Sequence, residues 1–198
     1  MTELRGATVV VANHFQNENC HPDGKIKVGI SADADWREQR LENAARLFDA
    51  ARAAGVPIVH VRLAVDPDYR GVVVNTTLIE EWVRVGAWRE GTWGVDFIDG
   101  LGPKPNEFVV THTRNSGFHN SILEEVLFSL GARHLICCGV STAYTVESTV
   151  RHATDIGYRV TLAADACSTA THQQHQNAID AMRPIAAIMT VDDLILTL

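Results

Sequence analysis

Short apolar runs alternate along the chain with longer segments whose apolar residues recur at helical spacing. "ATVVVAN" is a continuous apolar run bounded by polar residues, the pattern of a buried strand. From about Arg37 to Ala54, the residues Leu41, Ala44, Ala45, Phe48 and Ala51 fall on one helical face, and Gly55 and Pro57 mark the stop. "PIVHVRLAV", "FVVTHTR", "HLICCGV", "RVTLAAD" and "AIMTV" predict five further strands. Between them, "NSILEEVLFSLG", "TVESTVRHATDIG" and "HQQHQNAIDAM" predict helices. In the first of these, Ser121 and Glu124 have capping-box spacing and Gly131 closes the end. Strands alternating with amphipathic helices imply right-handed βαβ units. The expected architecture is a three-layer α/β/α domain over residues 1–198, with a mostly parallel, six-stranded Rossmann-like sheet.

One stretch breaks the alternation. "DPDYRGVVVNTTLIEEWVRVGAWREGTWGVDFIDGLGPKPNE" is rich in glycine, shows no sustained period and holds three of the four tryptophans. Long connections of this kind serve as lids or binding loops. Packing at a subunit interface would use the same aromatics equally well.

Composition narrows the function classes. With 46% hydrophobic and 21% charged residues, the chain has the balance of an ordinary globular protein. A formal charge of -7 offers no basic patch for nucleic acid. No apolar run approaches the length that crosses a bilayer, and the start, "MTELRGATVVV", has no leader pattern, so a cytoplasmic location is expected. Cys20, Cys137, Cys138 and Cys167 include no C-x-x-C pair, which suits reduced core thiols.

Open parallel sheets bind ligands beyond the carboxyl ends of their strands. The first strand delivers Asn13, His14 and Gln16 to that edge. The third delivers His112 and Arg114, followed by Phe118 and His119. The fourth delivers Ser141, Tyr144 and Thr145 at the start of a helix. Such an N-terminus offers unpaired N–H groups to a developing negative charge. Neither G-x-G-x-x-G nor G-x-x-x-x-G-K-[ST] occurs, so no nucleotide cofactor is expected.

These segments resemble the isochorismatase-like hydrolases. "VVVANHFQNEN" is similar to that family's V-V-D-M-Q-N-D-F strand, and "FVVTHTRNSGFHNSIL" to its V-V-K-x-R-x-S-A-F-x-G-T-x-L segment. "LICCGVSTAYTVESTVRHATDIGYRVTLAADACSTA" is similar to its G-V-x-T-x-x-C-V-x-x-T stretch. The resemblance implies a hydrolase of small molecules, commonly a dimer or tetramer, whose aspartate, lysine and cysteine sit at three strand ends. In this register those places hold His14, His112 and Thr145. The resemblance also implies a cis peptide between Val140 and Ser141. The Asp-x-His metal arrangement of some relatives has no counterpart in "VDPDYRG", so no resident metal is carried over.

Three readings follow. The first is a cysteine-independent hydrolase of an amide, carbamoyl, ester or vinyl-ether bond. Its acid/base pair is His14 and His112, with Thr145 in the nucleophile's place. Asn13, Gln16, Arg114, Phe118, His119, Ser141 and Tyr144 would contact substrate, and Trp88 and Trp93 would roof the pocket. The second is an inactive relative that binds a ligand or assembles. The third is a metal-dependent variant with His14, His112 and perhaps His119 as ligands.

Overall fold

A computed structural model describes residues 7–27 and 33–198. Six parallel strands form one sheet: β1 (Ala7–Asn13), β2 (Ile58–Leu63), β3 (Phe108–His112), β4 (Ala132–Val140), β5 (Arg159–Ser168) and β6 (Ala187–Met189). Their spatial order is β3-β2-β1-β4-β5-β6, so the direction of winding reverses between β1 and β4. Ligand crevices form where neighbouring connections leave a sheet on opposite faces.

The long helix α2 (Ala34–Ala54) begins where Asp33 accepts a hydrogen bond from the Trp36 N–H, and it ends at Gly55 in the left-handed conformation. A short helix, α1 (Asn17–Cys20), precedes it within what reads as a polar loop. Helix α2 packs with the C-terminal α7 (Val191–Ile195). Helices α4 (Leu123–Ser129) and α5 (Glu147–Asp155) follow strands wound in the other sense and cover the opposite face. Helix α6 (His172–Met182) is capped by the Thr171 side chain. One continuous core runs through both layers, from Val9, Val10 and Val11 to Leu47, Phe48, Leu135, Ile136 and Leu162.

Three local expectations need correction. Ser121 does not cap α4 reciprocally with Glu124: its hydroxyl donates to the Gly117 carbonyl and accepts from the Leu123 N–H, and Ile122 is the N-cap. The sixth strand stops at Met189 because Thr190 turns to cap α7. The irregular stretch contains a helix, α3 (Thr77–Val85), capped by Thr76 and closed by Gly86 at φ 67°. A second, smaller apolar cluster gathers around it: Ile26, Leu63, Val65, Ile79, Trp82, Ala87 and Trp88. Among the described residues, no helix is long and apolar enough to cross a membrane.

Candidate active site

Register places three strand ends side by side. Asn13 pairs with Val61 and with Gly139, and Leu63 pairs with His112. Gly139 must be glycine, because a Cβ there would lie 2.1 Å from the Asn13 carbonyl oxygen. This close approach draws the ends of β1 and β4 together. Beyond it the Val140–Ser141 peptide is cis. The chain then enters a π-helical turn, Thr142–Val146, that runs on into α5.

His14 leaves β1 at φ 52°, a left-handed conformation that a residue with a side chain rarely adopts. Its imidazole is buried, and its Nε2 meets His112 Nε2 directly. The ring centroids lie 4.7 Å apart. On its other side His14 Nδ1 is 3.1 Å from Thr145 Oγ1. His112 Nδ1 lies 2.9 Å from the Ser116 carbonyl oxygen.

One end of this chain fixes every proton in it. A carbonyl only accepts, so His112 Nδ1 carries the hydrogen, and neutral His112 presents a bare Nε2. His14 Nε2–H therefore donates to His112, His14 Nδ1 accepts, and the Thr145 hydroxyl donates to it. Burial pushes the pKa of both imidazoles down, well below the ordinary value for His14 and to about 4 for His112, and their mutual repulsion adds to the effect at His14. Both rings are neutral at pH 7, as this sequence of donors and acceptors requires.

The cavity beside this relay is small. It is lined by His14, Ser141, Tyr144 and Thr145 with Asn19 and Asn115, and by the apolar Ile26, Leu63, Leu78, Val140, Trp82 and Trp88. It holds about 320 Å³ of empty space, mouth included, of which about 20 Å³ can be occupied by the centre of a water molecule. Ser141 Oγ is tied to Thr169 Oγ1 at 2.6 Å, and the Asn19 side chain donates to the Val140 carbonyl.

The structure does not bring the other expected residues to this cavity. Asn13 turns back into the sheet, where its amide donates to the Val11 and Cys138 carbonyls. Gln16 donates to the Leu63 and Val95 carbonyls and accepts from the Leu63 N–H, so both ends of its amide are spent on backbone. Phe118 belongs to the core and stacks on His152. Trp93 is half exposed and packs edge-on against His21. Arg114 and His119 line a separate outer groove, where Arg114 donates to the Asn75 side chain.

His14, His112 and His119, the residues considered as metal ligands, are not gathered as a set of three. The two Nε2 atoms face each other directly, and His119 is exposed in the outer groove. Among the described residues no three His, Cys, Asp or Glu side chains gather as a metal site.

Two residues outside the expected set shape the roof. Trp82 comes from α3, and the signal for it was present: Leu78, Ile79 and Trp82 at helical spacing between a Thr and a Gly. Glu18 is buried and accepts hydrogen bonds from the N–H groups of Lys25 and Trp88. Gly94 lies so near this carboxylate that a Cβ would stand 2.1 Å from it.

Comparison with known proteins places this geometry in a family. A family model described as the isochorismatase domain matches residues 8–193. The chain belongs to the isochorismatase family. Ureidoacrylate amidohydrolase RutB of Azorhizobium caulinodans is 31% identical to this family member over 180 residues, covering 84% of the chain and 76% of the relative. RutB of Methylorubrum extorquens is 30% identical over 179 residues, covering 84% and 70%. The solved structure of a cysteine hydrolase from Pseudomonas syringae pv. phaseolicola superposes with a TM-score of 0.85 over 95% of this chain and 90% of that one, at 22% identity. An isochorismatase from Pseudomonas putida gives a TM-score of 0.72 at 29% identity, over 94% and 89%.

The cysteines of this isochorismatase-family chain stand apart from the cavity. All four cysteines are buried and free. Burial pushes the thiols of Cys20, Cys137 and Cys138 far up and that of Cys167 up to about 12. Cys20 approaches His14 only at its backbone carbonyl, 3.5 Å away. None of the four lines the cavity.

Proposed function

We propose that this isochorismatase-family protein hydrolyses a small carbonyl compound through Thr145, with His14 as general base and acid and His112 as the residue that positions His14. The observation that carries the reading is the unbroken hydrogen-bond sequence Thr145–His14–His112–Ser116 on one cavity. A hydroxyl is a weak nucleophile unless a base stands ready for its proton and a third group orients that base.

The chemistry runs as an acyl transfer. Thr145 Oγ bonds to the carbonyl carbon as its proton passes to His14 Nδ1, and the carbonyl π pair moves to oxygen. The Tyr144 and Val146 N–H groups are spent on the Ser141 carbonyl, so the oxyanion is left to the remaining N–H groups at the start of this turn. The oxyanion collapses, the bond to the leaving group breaks, and that group takes the proton from His14. Water then attacks the acyl-Thr145 ester and gives its proton to His14; the C–Oγ bond breaks, Thr145 Oγ takes that proton back, and the carboxylic acid leaves. His112 accepts from His14 Nε2–H throughout and stabilises the imidazolium that forms. The curated relatives are named amidohydrolases, which favours an amide or carbamoyl bond over a vinyl ether.

The test is hydrolysis of short activated esters and amides with rapid acid quench and mass analysis. The expected result is an acyl group on the peptide that carries Thr145, and its loss in Thr145→Ala. Turnover with no covalent intermediate would leave Thr145 only the role of orienting a water.

A second reading is favoured by the small size of the cavity: a ligand-binding relative without turnover. Binding of a carbonyl compound at His14 with no hydrolysis at any pH would establish it.

A further inference from the structure

The roof of the cavity carries two donors that no other described residue uses. Trp82 and Trp88 both line the space beside His14, and they are 6% and 2% exposed. Each keeps its indole Nε1–H buried with no hydrogen-bond partner among the described residues. Folded proteins rarely tolerate an unpaired buried donor, because water is given up and nothing replaces it. Two such donors on one cavity set it apart from the rest of the interior.

The rings are held in place from outside. They meet edge to face, with centroids 6.2 Å apart. The Tyr69 hydroxyl is placed between the Trp82 carbonyl at 3.1 Å and the Ala87 carbonyl at 2.6 Å. Glu18 accepts from the Trp88 N–H, and Lys25 Nζ donates to the Gly86 carbonyl. Trp88 itself sits at φ 62°, a conformation kept where the surroundings over-determine it. The backbone is clamped while the indole N–H groups stay free, which is how a binding site is pre-organised.

The cavity is also uncharged. Among the described residues its lining includes no Lys, Arg, Asp or Glu. A carboxylate placed there would lose its hydration without gaining a cation. Arg114 lies in the outer groove, on the far side of Trp82 and Asn115, which line both spaces.

We infer that Trp82 and Trp88 form an acceptor-binding pair that selects a small, uncharged carbonyl substrate, such as a short-chain amide or neutral ester, over a carboxylate. The inference rests on the reading of this cavity as the reaction site, but it concerns binding and is separable from turnover. The oxygen of such a ligand is the acceptor the indoles lack, and its apolar part fits against Leu63, Leu78 and Ile26.

The test is an NMR titration of the whole chain labelled with 15N at the tryptophan indoles. Trp82→Phe and Trp88→Phe assign the two signals; contacts to the His14 ring assign Trp88 independently if a variant does not fold. Acetamide and N-methylacetamide are the neutral probes, and acetate at pH 7 is the charged one. The expected result is a saturable shift of both indole signals with the amides, at a Kd at least tenfold below that for acetate. Each Phe variant should weaken amide binding about five- to tenfold, the worth of one hydrogen bond. A chain that binds amides through the indoles but hydrolyses nothing sinks the catalytic proposal and leaves this one standing. Indole signals unmoved by the amides would overturn the inference. So would acetate binding as tightly as acetamide, a result that would move recognition to Arg114.

Discussion

The two ends of strands β2 and β3 solve the same problem, a buried histidine, in opposite ways. At the amino end of β3, Glu107 lies beside His60 and is 7% exposed. It accepts from Arg52 Nε at 2.8 Å, from Arg52 Nη2 at 3.0 Å, from the Lys104 N–H at 2.7 Å and from His60 Nε2 at 2.9 Å. Burial alone would raise the Glu107 pKa, but these donors outweigh it and hold the carboxyl down at about 2. At the carboxyl end, His112 meets another neutral imidazole and a backbone carbonyl, with no carboxylate in the sequence of contacts. The first arrangement pairs its charge with four donors on one carboxylate, leaves His60 Nδ1 without a partner among the described residues, and lies away from the relay. The second is uncharged, opens on a cavity and leaves two indole donors over. An unsaturated and strained group next to open space is the mark of a site.

The sharpest way to break this contrast is to remove the hydroxyl or the base. Thr145→Ala and His14→Ala should each lower kcat/KM by about a thousandfold or more, with the thermal midpoint little changed for Thr145→Ala. His112→Ala should cost about a hundredfold, because it orients the base and touches no substrate. Its distinguishing readout is the pH profile. In the parent, burial holds both rings neutral, so activity should persist from pH 7 down towards the His112 pKa of about 4. Without its neighbour's repulsion, His14 should titrate higher, and the acid limb of His112→Ala should move up in pH. Full activity in either His14→Ala or Thr145→Ala would dissolve the proposed relay.

At the other end the same experiment should give the opposite result. Glu107→Gln should cost about 2 kcal/mol or more of stability, because it leaves His60 and Arg52 facing a neutral amide. Turnover per folded molecule should be unchanged, since the residue is remote from the cavity. Chemical denaturation paired with active-site titration separates the two effects. A Glu107→Gln protein of parental stability but low activity would mean that this cluster communicates with the site.

Acid distinguishes the two ends by pH window. His112 and His175 are held at about 4 by burial, below the ordinary value of 6.5. Above 6.5 neither state binds these protons. As pH falls below 6.5 the unfolded chain takes them up first, and stability drops until about pH 4. The loss at pH 5 is about 2 kcal/mol for each histidine. Glu107 acts lower: its contribution is intact above 4.5 and is lost as pH falls towards 2. The thermal midpoint should therefore fall between pH 7 and pH 5. His175→Gln, which still reaches the Thr142 hydroxyl, should flatten that slope. A midpoint that rose on acidification would contradict the neutral burial of these rings.

The strands and their parallel arrangement were legible because apolar runs and helical periods are set by burial, which the sequence carries directly. "ATVVVAN" became β1 without a shift of boundary. Proximity of His14, His112 and Thr145 to one edge followed from topology. Which way each side chain turns did not. Asn13 and Gln16 stand at the same edge as His14, but an amide both donates and accepts, so it is drawn to bare backbone groups at strand ends. Phe118 lies beside the edge yet gains more from the core. Helix α3 was missed because its apolar face is short and sits among glycines, although Thr76 and Gly86 mark its ends. The π-helical turn that aims Thr145 at His14 has no residue signature in this chain.

The weakest expected effect concerns the sulfurs, and it sharpens the contrast by exclusion. Cys137 and Cys138 lie in the middle of the sheet, Cys167 in β5 and Cys20 in α1, all within the main core. A thiolate is the reactive form, and burial makes it inaccessible at each of these positions. Iodoacetamide at pH 7.5 should therefore modify the native chain negligibly and leave its turnover intact, while the denatured chain reacts at all four. Single Cys→Ala changes should lower stability by about 1–2 kcal/mol through the small cavities they leave, with activity per folded molecule unchanged. Cys20→Ala is the most informative of the set, because its sulfur lies 3.5 Å from the His14 carbonyl oxygen. Loss of turnover in a folded Cys20→Ala protein, together with alkylation of Cys20 in the parent, would hand the nucleophile's place back to a thiol. The relay would then be a support for His14 and not the reacting group.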